Sequence, residues 1–403
     1  MTSHHWRGPA PILVCASLIL TCALGVRHGF GLFLQPMSLD NGWGREVFGF
    51  AIAIQNLTWG LAQPFTGMIA DRYGAGRVMF GGCLLYAAGV AMMAYATSPA
   101  MLLLSGGLMV GLALSCTTFN IVHGALGRAY PPERRSAVLG ASSALGSLGQ
   151  FVLLPLTLIL ISAQGWLTAM LGLAALMLLI LPFSLGVKDT GYHGQPAGQV
   201  SLREAIGEAF HHKGFWLLGF GYFTCGFQIV FIGTHLPAFL LDEGLGATEG
   251  TMALALIGLF NIAGSWGAGY LGGRYPKAWL LSGLYAARGM AIVLLMALPL
   301  TAASVYLFAI IMGLTWLSTV PLTNGVVAGI FGVRHLAMLS GLVFFFHQVG
   351  SFFGGWLGGY VYDLSGSYQM VWLLALGLSV TATLLNLPID ERPIARSASA
   401  ASA

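Results

Sequence analysis

Stretches of about 20 apolar residues, the length that spans a bilayer, recur twelve times along this chain. They fall at 10–34, 47–70, 78–97, 100–127, 137–162, 165–187, 214–240, 249–271, 278–299, 303–331, 336–361 and 367–387. A soluble core has no use for so many long apolar segments, so the pattern predicts an all-α membrane protein. Composition agrees: 57% of the residues are hydrophobic and only 7% are charged, against roughly 25% charged in soluble domains. A chain this poor in charge cannot dress a water-facing surface. Soluble enzymes and disordered scaffolds are thereby excluded. The net charge of +4 comes without the basic stripe that tracks phosphates, which excludes nucleic acid as a partner.

Sorting the basic residues fixes the expected topology. With both termini in the cytoplasm, fourteen of the seventeen Lys and Arg fall inside, and Arg45 alone falls outside. The remaining two, Arg27 and Arg288, lie within spans. So lopsided a distribution is a strong positive-inside signal, and adding or removing one span would scramble it. The first apolar run is too long for the core of a signal peptide, about 7–15 residues, and is expected to be retained as a helix. The five cysteines sit in apolar runs without C-x-x-C spacing and read as small buried side chains.

One connection differs from the rest. Residues 188–213 are polar, carry Pro and Gly, and contain a short amphipathic stretch from Ser201 to His211. The expected organisation is therefore an N-terminal six-helix bundle (1–187), a cytoplasmic linker with a short helix (188–213), a C-terminal six-helix bundle (214–390) and a disordered tail (391–403). The halves also repeat. Gly67–Gly74 reads G-M-I-A-D-R-Y-G, and Gly269–Pro276 reads G-Y-L-G-G-R-Y-P, 202 residues later. Gly140 and Gly149 return as Gly341 and Gly350, and Gly165 as Gly366, each at an offset of 201. A nearly constant offset indicates duplication of a six-helix unit, and parallel halves of this kind hold their binding site between them near the midplane.

The segment G-M-I-A-D-R-Y-G-A-G-R, Gly67 to Arg77, resembles the signature between helices 2 and 3 of the major facilitator superfamily. That resemblance spans essentially the whole chain. It implies twelve transmembrane helices in two pseudo-symmetric six-helix bundles and alternating access. Gly67 would let helix 2 approach a neighbour, and Asp71, Arg72 and Arg77 would form a conformational latch at the membrane edge. Gly273 stands where a second Asp would be, so the two halves should latch unequally. Shorter motifs are similar to the branch of monocarboxylate carriers and oxalate/formate exchangers: R-H-G-F-G-L-F-L-Q-P, D-N-G-W-G-R, T-H-L-P and H-Q-V-G-S. The chain departs from that branch in two places. Asn261 and Ser265 stand where an Asp/Arg pair is expected in helix 8, and helix 11 has no Lys.

None of the thirteen acids falls in the interior of an apolar segment, so the hydrocarbon region is expected to be neutral or positive and to favour an anionic or neutral substrate. Arg27 is the foremost candidate. It lies about one turn beyond the centre of helix 1, and a guanidinium there needs a negative partner that a substrate carboxylate can supply. The rival reading is an Arg that snorkels or bonds to backbone. His235, Asn261, Asn324, Gln150, His347 and Gln348 complete the candidate site, although each can equally be interhelical glue. At most one of His347 and Gln348 should face the cavity. Arg288, mid-span in helix 9, reads as structural.

The expected function is secondary transport of a small, monocarboxylate-like organic anion across the bacterial inner membrane, both termini cytoplasmic, with a proton as candidate co-substrate and the carrier monomeric. The alternative is export of a drug-like or siderophore-like neutral or anionic metabolite. No nucleophile–base spacing, zinc motif or G-x-x-x-x-G-K-[ST] loop is present, so neither enzymatic activity, a metal, a cofactor nor nucleotide drive is expected.

Overall fold

The computed structural model describes residues 9–130, 132–187, 202–332 and 336–394. Those residues form helices joined by short turns, with no strand among them. Helices α1 (Ala10–Asn41), α3 (Ala75–Ala94) and α4 (Pro99–Leu126) belong to the first bundle, together with α2 (Arg45–Tyr73). A single helical run, Pro132–Ile180, breaks at Gly165, whose φ of 81° only glycine tolerates, into α5 (132–164) and α6 (166–180). A short amphipathic helix, Leu202–His211, precedes the second bundle. That bundle comprises α7 (Lys213–Asp242), α8 (Ala247–Gly272), α9 (Lys277–Ala297), α10 (Ala302–Phe331) and α12 (Gln369–Asn386), with α11 (Leu336–Ser365).

By length and apolar composition, nine runs among the described residues qualify as membrane spans. One of these contains both α5 and α6, and the 29-residue α2 and 30-residue α11 stand beside them. Counted this way, the described residues hold six long helices before the short amphipathic helix and six after it.

The repeat visible in the sequence is a packing repeat. A Cβ placed on Gly149 of α5 would collide with the Thr21 carbonyl of α1; one placed on Gly350 of α11 would collide with the Phe223 carbonyl of α7. Both members of each pair are displaced by about the same 201–202 residues, so the two bundles use one close helix approach, as small residues in membranes allow. Turn geometry repeats too. Gly42 (φ 66°) and Gly244 (φ 87°) end α1 and α7, and Gly165 (φ 81°) and Gly366 (φ 67°) end α5 and α11.

Three spans are less regular than apolar length alone suggests. In α1 a 3-10 turn at Gly29–Phe33 lies midway, and helix continues to Asn41, beyond the expected limit of residue 34. The α4 span carries a π-helical segment at Leu103–Met109 and an extended residue at Thr118 (φ −107°, ψ −166°). In α10 the α-helix stops at Thr315 and resumes at Thr319. These breaks free backbone carbonyls in places where water is scarce, and side chains must satisfy them. Gln63 and Thr66 of α2 donate to the freed Ser115 carbonyl at 3.2 and 3.1 Å. At the equivalent position 201 residues on, Arg288 of α9 donates to the Trp316 carbonyl, and to that of Thr315, both at 2.5 Å.

The bundles meet through α2 against α11 and α5 against α8. At the end bearing Gly42 and Gly244 they are tied by charge. Arg45 at the start of α2 makes a bidentate pair with Asp242 at the end of α7 (2.5 and 2.8 Å) and donates to the Tyr368 hydroxyl at 3.0 Å. Its guanidinium lies 3.9 Å over the Tyr362 ring, a cation–π contact. Asp363 accepts from the backbone amides of Arg45 (3.0 Å) and Glu46 (2.7 Å). A carboxylate of one bundle thus caps a helix of the other. Trp356 donates its indole N–H to Glu46 at 2.8 Å. Toward the middle come Gln150 Nε2 to the Leu254 carbonyl (2.9 Å), Asn261 Nδ2 to Ser147 Oγ (3.0 Å) and the Trp59–Phe344 ring contact (5.9 Å).

Candidate functional site

Arg27 sits near the middle of α1, where the 3-10 turn is about to begin, and its head reaches between the bundles. Nη2 donates to Asn56 Oδ1 at 2.5 Å. The Asn56 amide in turn donates to the Ile52 carbonyl, one turn back along α2, at 2.7 Å, which holds the acceptor in place. Eleven residues separate Asn56 from Arg45, so the pair lies about 17 Å into the protein along α2 at 1.5 Å per residue. The guanidinium stands 5.4 Å from the centre of the Trp59 ring. Trp59 is fixed from behind by a 2.8 Å bond to Gln63 and by the edge of Phe344.

The partner of Arg27 is therefore neutral. Its Nε is buried and has no hydrogen-bond partner, and the only ion pairs among the described residues are Arg45–Asp242, Lys277–Glu391 and Arg392–Asp390, all remote from it in the fold. A cleft of about 10 Å³ opens beside it, walled by Arg27, His28, Ile52 and Gln55 of the first bundle and Ile229 and Thr234 of the second. That is space for about one water molecule. His28 is tied down by its own helix, its Nδ1 2.7 Å from the Leu24 carbonyl.

The other residues singled out from sequence do not converge on Arg27. His235 is fully buried beside Gly49, nearer the Arg45 end of α2 than Asn56 is. Its Nε2 contacts the Gly355 carbonyl at 2.8 Å, and its Nδ1 the Tyr368 hydroxyl at 3.4 Å. Both ring nitrogens are thus occupied in the seal between the bundles. Asn261 is saturated as well, donating to Ser147 and accepting from Ser265 Oγ (3.0 Å) and the Leu317 amide (2.9 Å), which places it in the α5–α8–α10 junction. Gln150 spends its amide on the Leu254 carbonyl, with Gly258 packed against its stem. Asn324 is exposed on α10.

His347 and Gln348 divide as adjacent helical positions must. The His347 ring stacks on Phe344 (5.4 Å, 14°) and meets Tyr222 (4.8 Å), while its Nδ1 is 3.2 Å from Gln348 Oε1 and 3.4 Å from Ser351 Oγ. Gln348 lies against Gly60, next to Trp59, and its Nε2 is buried without a partner. Two unpartnered donors, Arg27 Nε and Gln348 Nε2, therefore flank consecutive residues of α2.

The latch segment is only partly visible. The side chains of Asp71 and Arg72 lie outside the described residues, and Arg77 is exposed. Among the described residues, nothing lies within 4 Å of a Cβ placed on Gly67. Sequence reasoning does not single out Gln55 and Asn56, which the structure places beside Arg27. The adjacent polar pair inside an apolar run is a signal that can find them, since an intramembrane amide needs a partner.

Two repeated helical bundles that meet at mid-depth are the architecture of membrane carriers. Residues 14–354 match the Major Facilitator Superfamily, and the chain belongs to that family of transporters. It is 25% identical to human monocarboxylate transporter 11, over 87% of this chain and 84% of that protein. It is 24% identical to the oxalate:formate antiporter of Oxalobacter formigenes, over 86% and 83%. Among solved structures, a bacterial homologue of the human lysosomal transporter Spinster superposes with a TM-score of 0.70, covering 96% of this chain and 95% of that one at 15% identity.

Proposed function

We propose that this protein is a secondary carrier that moves a small, monocarboxylate-like organic anion across a bacterial inner membrane by alternating access, with Arg27 as the anion anchor. The observation that carries this reading is the state of that guanidinium. It is held within the membrane by a neutral amide, with Nε free beside a cleft between the bundles. Placing an Arg at such depth costs at least about 2.5–3.5 kcal/mol, and a carboxylate delivered by the substrate offsets that cost through charge-assisted hydrogen bonds. Gln348 Nε2 supplies a second free donor, oriented through Oε1 by His347. The names of the relatives, a monocarboxylate transporter and an oxalate:formate antiporter, support the same cargo class.

The positive-inside distribution assigns the end bearing the termini to the cytoplasm. On that assignment the Arg45–Asp242–Asp363 seal closes the outer side, and bundles 1–187 and 214–390 rock about the central site, opening and closing that seal. The test is uptake of radiolabelled lactate and oxalate by proteoliposomes. Wild-type protein should move at least one of them, and Arg27→Gln should abolish that uptake while leaving the protein folded in detergent. Uptake at the wild-type rate by Arg27→Gln would overturn the assignment.

A further inference from the structure

Gln55 is fully buried and faces the same cleft as Arg27. Its Nε2 donates to the Gly106 carbonyl of α4 at 2.7 Å. A carbonyl can only accept, so that bond fixes which way round the amide sits and leaves Oε1 as the free atom. Oε1 is buried and has no partner. Arg27 and Gln55 thus both line the cleft, and each has one buried polar atom without a partner, the donor Nε and the acceptor Oε1. A carboxylate satisfies the first and cannot satisfy the second, because two oxygens that only accept would face each other. Asn56, the next residue of α2, positions the guanidinium of Arg27 on α1, so the support of the acid reader and the donor reader are neighbours on one helix.

We infer that Gln55 is a specificity-determining residue, whose carbonyl oxygen accepts a hydrogen bond from a hydroxyl on the carbon next to the substrate carboxylate. The inference rests on the anion reading of Arg27 and deepens it: the preferred cargo is a 2-hydroxy acid over a 2-oxo acid or an unsubstituted one. A site built to hydrogen-bond a hydroxyl rejects the analogue that lacks it, because its own polar group is then left unpaired. The 2-oxo analogue is worse placed still, since it sets a carbonyl oxygen against the Gln55 oxygen.

Three probes of similar size decide the matter in proteoliposomes: lactate, pyruvate and propionate. Wild-type protein should show a KM for lactate at least about tenfold below that for either of the others. Equal KM values for all three would overturn the inference and leave a water molecule as the partner of Oε1. Gln55→Leu should collapse the lactate-to-pyruvate KM ratio toward one, and an unchanged ratio in the folded variant would equally overturn it. The wild-type comparison stands even if Gln55→Leu fails to fold for want of its bond to α4. Absence of transport for all three probes strikes the anion reading itself and the Gln55 assignment with it. Transport of all three at equal KM strikes only Gln55.

Discussion

Each bundle places one arginine, Arg27 or Arg288, within a membrane span, and the two are used differently. Arg288 of α9 is fully buried. It spends Nη2 on two backbone carbonyls at the break in α10 and directs Nη1 to Gln228, 3.4 Å away. Gln228 is itself held by Ala375 and Ser379. Arg27 of α1 makes one bond to a side-chain amide and keeps Nε free beside a cleft. The corresponding break in the first bundle, at Ser115, is served by the neutral Gln63 and Thr66. Nε lacks a partner in both arginines, so what separates them is the rest of the guanidinium and its surroundings: Arg288 is bonded to two backbone carbonyls, whereas Arg27 lines a cleft between the bundles. The residue type is the same in both cases, and only the supply of carbonyls around it differs.

This contrast can be broken by substitution. The largest effect should come from Arg27→Gln, with a loss of anion uptake of about 100-fold. That corresponds to about 3 kcal/mol, the worth of a strong charge-assisted contact, and thermal unfolding in detergent should change little. Arg288→Met should do the reverse. Leaving the Thr315 and Trp316 carbonyls unpaired costs about 1–3 kcal/mol each, so a clear fall in melting temperature is expected, with uptake per folded molecule retained. If Arg288→Met instead lost transport at unchanged stability, the division of labour would be wrong. Smaller again is the effect of breaking the repeat. Gly149→Val and Gly350→Val should each destabilise by about 1–3 kcal/mol through overpacking, and by similar amounts, since each side chain meets a carbonyl of the equivalent helix. Asp363→Asn should cost about 1 kcal/mol as a weakened helix cap. Its signature is faster amide hydrogen exchange at Arg45 and Glu46, whose N–H groups Asp363 holds in this state.

Much of the architecture is written in local composition and spacing. Apolar length, basic asymmetry and the 201-residue offset of Gly149 and Gly350 are all of that kind, and a sequence displays them directly. The site is legible only in part. Arg27 stands out because a guanidinium in an apolar run is rare and costly. His235, Asn261 and Gln150 look equally polar on paper, yet each proves to be engaged by groups distant in the chain: the Gly355 carbonyl, the Leu317 amide and the Leu254 carbonyl. Sequence shows that a polar side chain needs a partner, and tertiary structure decides whether it already has one. The breaks in α4 and α10 are hidden for the same reason, because their freed carbonyls are tolerated only through Gln63, Thr66 and Arg288. Gln55 and Asn56 escape notice because neutral amides stand out less in an apolar run than charges and imidazoles do.

The cap on α2 has a consequence of its own. Gly44, at the N-cap position, has no side chain to offer the helix it begins, and Asp363 reaches over from the opposite bundle to do so. The folding of one domain end and the closure of the transport pathway therefore draw on a single set of hydrogen bonds. When the halves part, bare amides at the positive pole of α2 must find solvent, so an open pathway is stable only once it is wet. Hydration of one helix terminus becomes a term in the equilibrium between the two faces of the carrier, and giving α2 a cap of its own would tilt that balance without touching the cargo.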